Sequence, residues 1–266
     1  MITLYNQNIW NYLPSEYRNT LVRSLVADCD ADICTFQECG PLRNRVGDAP
    51  IQELMADVYD EVRPEFADRN YTPVFYKKDK YILKDSGYFL YSGFNDANSK
   101  SVTWALFEEK GTNFTFIVMS THFWWKEEGE EDNLQRINNA VELKAKCDEL
   151  VSKYNVPIII GGDFNNGKDS LQGDEPYRKM LEFGFCDIRL TASETTDTYT
   201  HHDYPVLMED GVTYGPCSDF DCNIDYIFTY GTKTVKALKY DVLTTDKALS
   251  SSDHCPVLGY FESEVI

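Results

Sequence analysis

Residues 156–166, VPIIIGGDFNN, place a carboxylate and a carboxamide directly after a short apolar run. The three consecutive isoleucines predict a strand that is buried on both faces. Asp163 and Asn165 come just past its end, and because they are two residues apart they project the same way if the backbone stays extended. The two preceding glycines let neighbouring backbone or a ligand phosphate approach closely. A plain turn explains the same residue types equally well, so the rest of the sequence has to decide.

Other polar residues share this placement at or beside the ends of predicted strands. They are Asn8, Glu38, His122, Asp225, Asp253 and His254. Open α/β sheets bind their ligands at this edge, and carboxylate and carboxamide oxygens without a cysteine suit a hard cation, Mg²⁺ or Mn²⁺. Two histidines with acidic neighbours can act as acid and base near neutral pH. Together these groups have the chemistry needed for in-line displacement at phosphorus.

The first elements that must position these residues alternate between strand and helix. Residues 2–9 alternate as a strand on which Asn6 and Asn8 share a face. Helical spacing follows a possible N-cap at Ser15, and residues 31–39 form the next strand. This order indicates a layered α/β domain.

The rest of the chain repeats the mixture. Short aromatic and β-branched runs over residues 71–121 predict antiparallel strands, the last of which ends at His122. Residues 132–154 form the clearest helix, with an apolar stripe of Leu134, Ile137, Val141, Ala145 and Val151. A polar stretch, 191–222, predicts an irregular loop before the last strands. Helices and strands thus run through the chain twice, which predicts one domain, residues 1–266, of two similar layers.

The charge balance limits the partners that we expect. Lys and Arg number 25 against 44 Asp and Glu, so the formal charge is −19. A field of this sign repels polyanions and anionic membranes, because non-specific nucleic-acid affinity comes from phosphate neutralisation by Lys and Arg. We therefore expect a small phosphorylated substrate rather than long nucleic acid, and no membrane association. No feature of the sequence indicates an obligate protein partner.

The eight cysteines are too sparse for a disulfide scaffold and indicate free thiols in a reducing compartment. The chain begins in a strand-like segment that leaves no room for a signal peptide, and no apolar run reaches membrane-spanning length. These features predict a cytoplasmic protein. Two weaker metal hypotheses are a zinc site from His201, His202, Cys217 and Cys222, whose spacing is loose, and a calcium loop at 219–225, which lacks the expected glycine.

Six short motifs, in order, carry a resemblance to a known family. They are NIW at Asn8, QE at Glu38, STH at His122, GGDFN at Asp163, IDYIF at Asp225 and SDHCPV at Asp253. The sequence resembles the endonuclease/exonuclease/phosphatase superfamily, the deoxyribonuclease-like metal-dependent phosphoesterases, over nearly its whole length. The resemblance implies an α/β fold: a four-layer α/β/β/α sandwich of two packed, mixed, mostly antiparallel sheets flanked by helices.

The resemblance also implies a role for each matching residue. Glu38, helped by Asn8, would hold the metal, and Asp253 would lie near the metal or its waters. Asn8 is favoured over Asn6 because Ile9 follows it.

The remaining matches concern proton transfer and the phosphate. Asp163 would orient or deprotonate the attacking water, and Asn165 would contact the phosphate. His254 would be a second acid or base oriented by Asp225. His122 would stabilise or protonate the leaving group.

Two local features leave alternatives open. Lys100 and Ser101 precede VTW where relatives often carry arginine. The aromatic run of residues 123–125 after His122 either forms a stacking wall for a ligand or packs under the sheet edge.

These observations support a Mg²⁺-dependent phosphatase or phosphodiesterase as the first hypothesis. The second is a metal-dependent nuclease on DNA or RNA, and the third is a non-catalytic binding protein on the same scaffold. Specificity would lie in the loops of residues 71–98 and 191–222.

Overall fold

The computed structural model describes residues 1–10, 15–39, 50–65, 70–167, 173–196, 198–233 and 235–265. In chain order its elements are β1 (Ile2–Asn8), α1 (Glu16–Asp28), β2 (Ile33–Gln37), α2 (Ile51–Met55), β3 (Tyr59–Glu61), β4 (Val74–Lys77), β5 (Tyr81–Leu90), β6 (Ser101–Glu109), β7 (Thr115–His122), α3 (Glu130–Tyr154), β8 (Ile158–Asp163), α4 (Glu175–Glu182), β9 (Cys186–Asp187), β10 (Glu194–Thr195), β11 (His201–His202), β12 (Val206–Leu207), β13 (Tyr214–Gly215), β14 (Phe220–Cys222), β15 (Asp225–Tyr230), β16 (Val235–Val242), α5 (Asp246–Leu249) and β17 (Val257–Val265). Short 3₁₀ turns lie at Asp96–Asn98 and Ile188–Leu190. Within these described ranges, no helix has the length and apolar character needed to span a membrane.

Two large mixed sheets contain most of the strands. One has seven strands in the order β10-β16-β17-β1-β2-β4-β3, and the other has six in the order β5-β6-β7-β8-β15-β9. In the described part of the chain, neighbours within these sheets are antiparallel except for the pairs β1–β2, β7–β8 and β10–β16. The prediction of two mixed, mostly antiparallel sheets is confirmed.

Three hydrophobic clusters hold the sheets and helices together. Between the sheets, Leu4 and Ile33 of the seven-stranded sheet share a cluster with Val118 and Ile159 of the six-stranded sheet. Because side chains alternate along a strand, the residues next to these face outwards. A second cluster covers the outer face of the six-stranded sheet with α3 and α4, and a third covers the other sheet with α1, α2 and α5. The four-layer α/β/β/α fold is confirmed.

Helix α3 buries a different face from the stripe that its apolar residues predict. Leu134 and Val141 are 56% and 47% exposed. The buried face consists of Asp132, Gln135, Arg136, Asn139, Ala140, Leu143, Cys147 and Leu150. Its first half is polar because Asn139 Oδ1 accepts a hydrogen bond from the backbone N–H of Trp124, and Asp132 Oδ1 accepts one from the indole N–H. The predicted stripe is therefore wrong except at Val151, which packs against the second cluster, and α3 anchors the segment that follows β7.

The segment of residues 191–222 contains short strands where the sequence predicts an irregular loop. β10 joins the seven-stranded sheet, and the pairs β11–β14 and β12–β13 form two small antiparallel ribbons. Strands of two or three residues are too short to produce an alternating pattern in the sequence. A bridge between His201 and His254 connects β11 to the segment before β17.

Candidate active site

The ends of β7, β8 and β15 bring three of the predicted residues together. Strands β7 and β8 are parallel, so their carboxyl ends meet, and His122 pairs with Asp163 in register. Strand β15 is antiparallel to β8 and begins where β8 ends, which places Asp225 opposite Asp163. All three side chains are buried.

The seven-stranded sheet contributes through the end of β1. Asn8 Nδ2 donates a hydrogen bond to Oδ2 of Asp163 over 3.0 Å. Asn6 lies on the same face, but its Oδ1 accepts hydrogen bonds from Thr35 and Gln37 and its Nδ2 donates to a carbonyl of β8. The amide in contact with Asp163 is therefore that of Asn8.

Asp163 lies at the centre of these contacts. Its Oδ2 is 3.3 Å from Nε2 of His122 and 3.9 Å from Nε2 of His254. Burial raises the pKa of Asp163, but the two histidines and the Asn8 amide outweigh burial and hold the pKa well below its usual range. The side chain is therefore a carboxylate at neutral pH.

His254 and Asp225 form a buried pair behind Asp163. Nδ1 of His254 lies 2.9 Å from Oδ2 of Asp225, whose backbone N–H donates to Oγ1 of Thr200. Burial lowers the pKa of His254, but Asp225, Asp253 and Asp163 together raise it well above its ordinary value. Asp225 thus orients the imidazole and leaves Nε2 on the side of Asp163.

Two further carboxylates, those of Glu38 and Asp253, lie beside this group. Glu38 follows β2 with a φ of 54°, in the left-handed region that costs a non-glycine residue about 1–2 kcal/mol. Asp253 Oδ1 accepts a hydrogen bond from Ser252 and lies 3.9 Å from Nε2 of His254. Burial and the Glu38 charge raise the pKa of Asp253, and His254 opposes them. A divalent cation would offset this repulsion between carboxylates, so the oxygen donors fit Mg²⁺ or Mn²⁺.

The surroundings of the site contain several groups of carboxylate, imidazole or thiol atoms that lie within 4.8 Å of one another. Among the described residues these are Asp163–Asp225–His254, His201–Asp253–His254 and His201–Asp221–Cys222. His202 is buried, and its Nδ1 lies 2.7 Å from the Asp203 carbonyl.

Asn165 does not continue the extended backbone that the sequence predicts. Strand β8 ends at Asp163, and Asn165 has a φ of 48°, in the left-handed region. Its backbone N–H donates to Oδ1 of Asp163, and its side-chain Nδ2 donates to the Phe123 carbonyl over 3.1 Å. The parallel projection of Asp163 and Asn165, which requires an extended backbone, does not occur, because the chain turns directly after Asp163. Asn165 links the segments that follow β7 and β8.

The two glycines of β8 face neighbouring strands rather than open space. A Cβ atom on Gly161 would lie 2.4 Å from Oγ1 of Thr35 in the other sheet, and one on Gly162 would lie 2.5 Å from Cγ2 of Thr121. The glycines therefore allow the β8 backbone to lie close to Thr35 of β2 and Thr121 of β7. The expectation that they leave room for a phosphate is wrong.

Lys100 is a site residue that the sequence motifs do not assign. Its Nζ is buried directly before β6 and lies 2.8 Å from Nε2 and 3.3 Å from Nδ1 of His122. Burial lowers the pKa of Lys100 to about 8, and the charges of Glu38 and Asp163 oppose this effect. The sequence signal for Lys100 is its position before VTW, where the family resemblance leads one to expect arginine.

The aromatic run after His122 divides between the two alternatives. Phe123 and Trp124 are buried, and Phe123 packs edge-on against Phe164. Trp125 is 50% exposed and donates its indole N–H to Asp96. The first two rings therefore pack beneath the sheet edge, and only Trp125 presents a surface to solvent.

Comparisons with solved structures identify the fold. A mannosyl-6-phosphatase from Bacteroides thetaiotaomicron is similar over 98% of this chain and 100% of its own, with 21% identity and a TM-score of 0.75. An endonuclease/exonuclease/phosphatase from Bacteroides vulgatus is similar over 99% of both chains, with 27% identity and a TM-score of 0.73. The human Nocturnin catalytic domain, solved with a bound sulfate anion, is similar over 98% of this chain and 94% of its own, with 16% identity and a TM-score of 0.68.

No protein-family model and no curated protein sequence matches the chain. The structural similarity nevertheless extends over nearly the whole chain in each of the three comparisons. The predicted resemblance to the endonuclease/exonuclease/phosphatase superfamily is confirmed, and the chain has the fold of that superfamily.

Proposed function

We propose that this protein is a divalent-metal-dependent phosphoester hydrolase. A water oxygen attacks phosphorus in line with the leaving group, the P–O bond to that group breaks, and an alcohol and a phosphate are released. The observation that carries the proposal is the Asp163 carboxylate, which lies between His122, His254 and the Asn8 amide where the two sheets meet. Phosphatase activity in a neighbour of the same fold agrees with this chemistry.

Asp163 is the group that orients or deprotonates the attacking water. Its depressed pKa keeps the side chain ionised and able to accept a hydrogen bond from water. Asn165 contributes the amide that contacts the phosphate, from the turn directly after Asp163.

The two histidines supply protons on either side of Asp163. The raised pKa of His254 keeps this imidazole protonated to higher pH, as a second acid in the reaction requires. Asp225 fixes its tautomer through the 2.9 Å contact at Nδ1. His122 stabilises or protonates the oxygen of the leaving group.

The residues that would hold the metal are Glu38 and Asn8, with Asp253 near the metal or its waters. The Oδ1 atom of Asn8 accepts one hydrogen bond, from the backbone N–H of Trp10, and a carbonyl oxygen retains a second lone pair for a cation. Mg²⁺ or Mn²⁺ at this position would offset negative charge on the phosphate and the departing oxygen. Oxygen donors alone, with two mutually repelling carboxylates, support a hard cation.

The substrate that we propose is a small phosphorylated metabolite or a short phosphodiester. A net charge of −19 disfavours long nucleic acid and anionic membranes, and no obligate protein partner is part of the proposal. All eight cysteines are free thiols, which suits a reducing compartment such as the cytoplasm.

A substrate panel with matched controls tests the proposal. Phosphorylated sugars, nucleotides, oligonucleotides, p-nitrophenyl phosphate and bis(p-nitrophenyl) phosphate are compared by kcat/KM with Mg²⁺ and with Mn²⁺. We expect turnover of a small phosphoester that EDTA abolishes, and a fall of about 100- to 10,000-fold in Asp163→Ala. Preferred turnover of oligonucleotides would establish a nuclease instead. No hydrolysis of any compound would leave only the non-catalytic binding protein.

A further inference from the structure

A second aspartate–histidine pair lies beside the pair formed by Asp225 and His254. Nδ1 of His201 is 2.7 Å from Oδ1 of Asp221. The pair joins β11 to β14 across the small ribbon that sits between β10 and β15 in the chain. Neither residue takes part in the steps proposed for Asp163, His122 and His254.

The geometry brings the ring of His201 to the catalytic group. His201 forms a β-bridge with His254, and the two ring centroids are 4.7 Å apart at an interplanar angle of 72°. A ring nitrogen of His201 lies within 4.8 Å of ligand atoms of His254 and Asp253. One substrate oxygen could therefore contact His201 while its phosphorus is next to His254.

His201 is also accessible from solvent. Its side chain is 26% exposed, whereas that of His254 is 6% exposed. Asp221 engages Nδ1, and among the described residues no hydrogen bond involves Nε2 of His201. A carboxylate at one ring nitrogen fixes the orientation of the imidazole and leaves the other nitrogen for a ligand.

We propose that His201 binds a terminal oxygen of a phosphomonoester, and that Asp221 is its positioning residue. This inference rests on the proposed function and narrows its substrate class. A phosphomonoester has three terminal oxygens and nearly two negative charges at neutral pH, while a diester has two such oxygens and one charge. The monoester therefore gains more from one additional donor at the rim.

The local balance of charge supports this choice. The chain has only four histidines and an excess of acidic residues, yet His122, His201 and His254 gather at this edge together with buried Lys100. A dianionic phosphate among Glu38 and Asp253 needs such donors, because its charge would otherwise add to that of the carboxylates.

The rival role for His201 is that of a metal ligand. Cys222 and Asp221 lie within 4.8 Å of it, as do Asp253 and His254 in a second group. A metal ligand would change the concentration of metal that activity requires, whereas a phosphate ligand would change the preference between monoester and diester.

The experiment compares His201→Ala, Asp221→Asn and the exposed control Asp219→Asn with the unaltered protein. Asp219→Asn removes the same charge from the residue directly before β14, and Asp219 lies outside the proposed site. We expect His201→Ala to lower kcat/KM for p-nitrophenyl phosphate about tenfold or more, mainly through KM, and that for bis(p-nitrophenyl) phosphate less than about threefold. Asp221→Asn should give a smaller loss of the same selectivity, and Asp219→Asn none.

Equal losses of kcat/KM on both substrates would overturn the inference and indicate a structural role for His201. An increased Mg²⁺ or Mn²⁺ requirement with unchanged substrate selectivity would overturn it and indicate a metal ligand. The affinity for inorganic phosphate, measured by calorimetry, gives a readout that needs no turnover. If the protein hydrolyses nothing but binds phosphate about tenfold more weakly in His201→Ala, the proposed function fails, while the role of His201 as a phosphate ligand is supported. Equal affinity in both proteins, or no binding by either, would overturn it.

Discussion

Nζ of Lys100 and Nε2 of His122 lie 2.8 Å apart inside the protein, and the same His122 nitrogen lies 3.3 Å from Oδ2 of Asp163. One imidazole nitrogen cannot accept a hydrogen bond from Lys100 and donate one to Asp163 at the same time. Lys100 and Asp163 therefore compete for Nε2 of His122, and Nδ1 of the same ring, 3.3 Å from Nζ, is the alternative acceptor for Lys100.

Replacement of Lys100 by an uncharged residue should lower the activity and raise the stability. We expect Lys100→Met to lower kcat/KM about 10- to 100-fold, because the His122 ring loses its contact with Nζ of Lys100. In metal-free protein at pH 7 we expect a higher free energy of unfolding. Burial lowers the pKa of Lys100 from 10.5 to about 8, and at about 1.4 kcal/mol per pH unit the gain is up to roughly 3 kcal/mol.

The sign of the pH effect follows from the direction of the pKa change. Between pH 8 and 10.5 the unfolded chain binds the Lys100 proton more tightly than the folded protein, so stability of the unaltered protein rises with pH there. The advantage of Lys100→Met should therefore shrink across this window. Urea titrations at several pH values measure the free energy of unfolding of both proteins, with the exposed Lys110→Met as the control. If the difference in the free energy of unfolding between Lys100→Met and the unaltered protein stayed constant with pH, burial would not lower the pKa of Lys100.

Asp225→Asn should move the basic limit of activity to lower pH. The Asp225 carboxylate raises the pKa of His254, and its removal leaves the imidazole protonated over a narrower range. The same pair stabilises the fold below the ordinary pKa of histidine, and this contribution is lost as pH rises through the raised pKa. Histidine NMR titration of the metal-free protein and the pH profile of kcat/KM provide the two measurements. An unchanged His254 titration would contradict the assignment of this pair.

Removal of the metal should abolish activity and reduce thermal stability. We expect Mg²⁺ or Mn²⁺ to raise Tm in proportion to occupancy, with about 2.7 kcal/mol of stabilisation at 100 times Kd. Glu38→Gln should raise the metal concentration for half-maximal activity about tenfold or more, because it removes a carboxylate ligand. Glu108→Gln, at the far end of β6, is a control of equal charge. Equal metal requirements in the two variants would exclude Glu38 as the principal ligand.

Gly161→Ala tests the role of the β8 glycines. The new Cβ would lie 2.4 Å from Oγ1 of Thr35 and 2.8 Å from Oδ1 of Asn6, so the two sheets would have to separate. We expect a loss of about 1–3 kcal/mol in the free energy of unfolding, measured by urea denaturation. If the variant were fully stable and only its KM for phosphate esters rose, the glycines would serve ligand access.

Strand ends were the most predictable part of the molecule. The apolar run of β8 and the polar residues at or directly after the ends of β1, β2 and β7 are local signals, and the family resemblance supplied the order in which they meet. The packing of α3 was not predictable in this way, because Asp132 and Asn139 are buried by hydrogen bonds to Trp124 that only the tertiary structure reveals.

Three site features escaped sequence reasoning for separate physical reasons. The turn at Asn165 breaks the alternation from which its direction was predicted. The contact of Lys100 with His122 depends on how β6 and β7 pair, which no local pattern determines. His201 belongs to a two-residue strand whose partner lies about twenty residues away.

Both sheets contribute to the site, and each sheet combines strands from early and late in the chain. In the seven-stranded sheet, Asn8 ends β1 and His254 precedes β17, the strand next to β1. In the six-stranded sheet, His122 and Asp163 end the adjacent strands β7 and β8. Among the residues that the structure describes, neither sheet alone has an acid, a base and the metal donors together. Catalytic activity should consequently require that both sheets are assembled. If the chain is divided between β7 and β8, we expect each fragment alone to be inactive and activity to return only when the two fragments recombine.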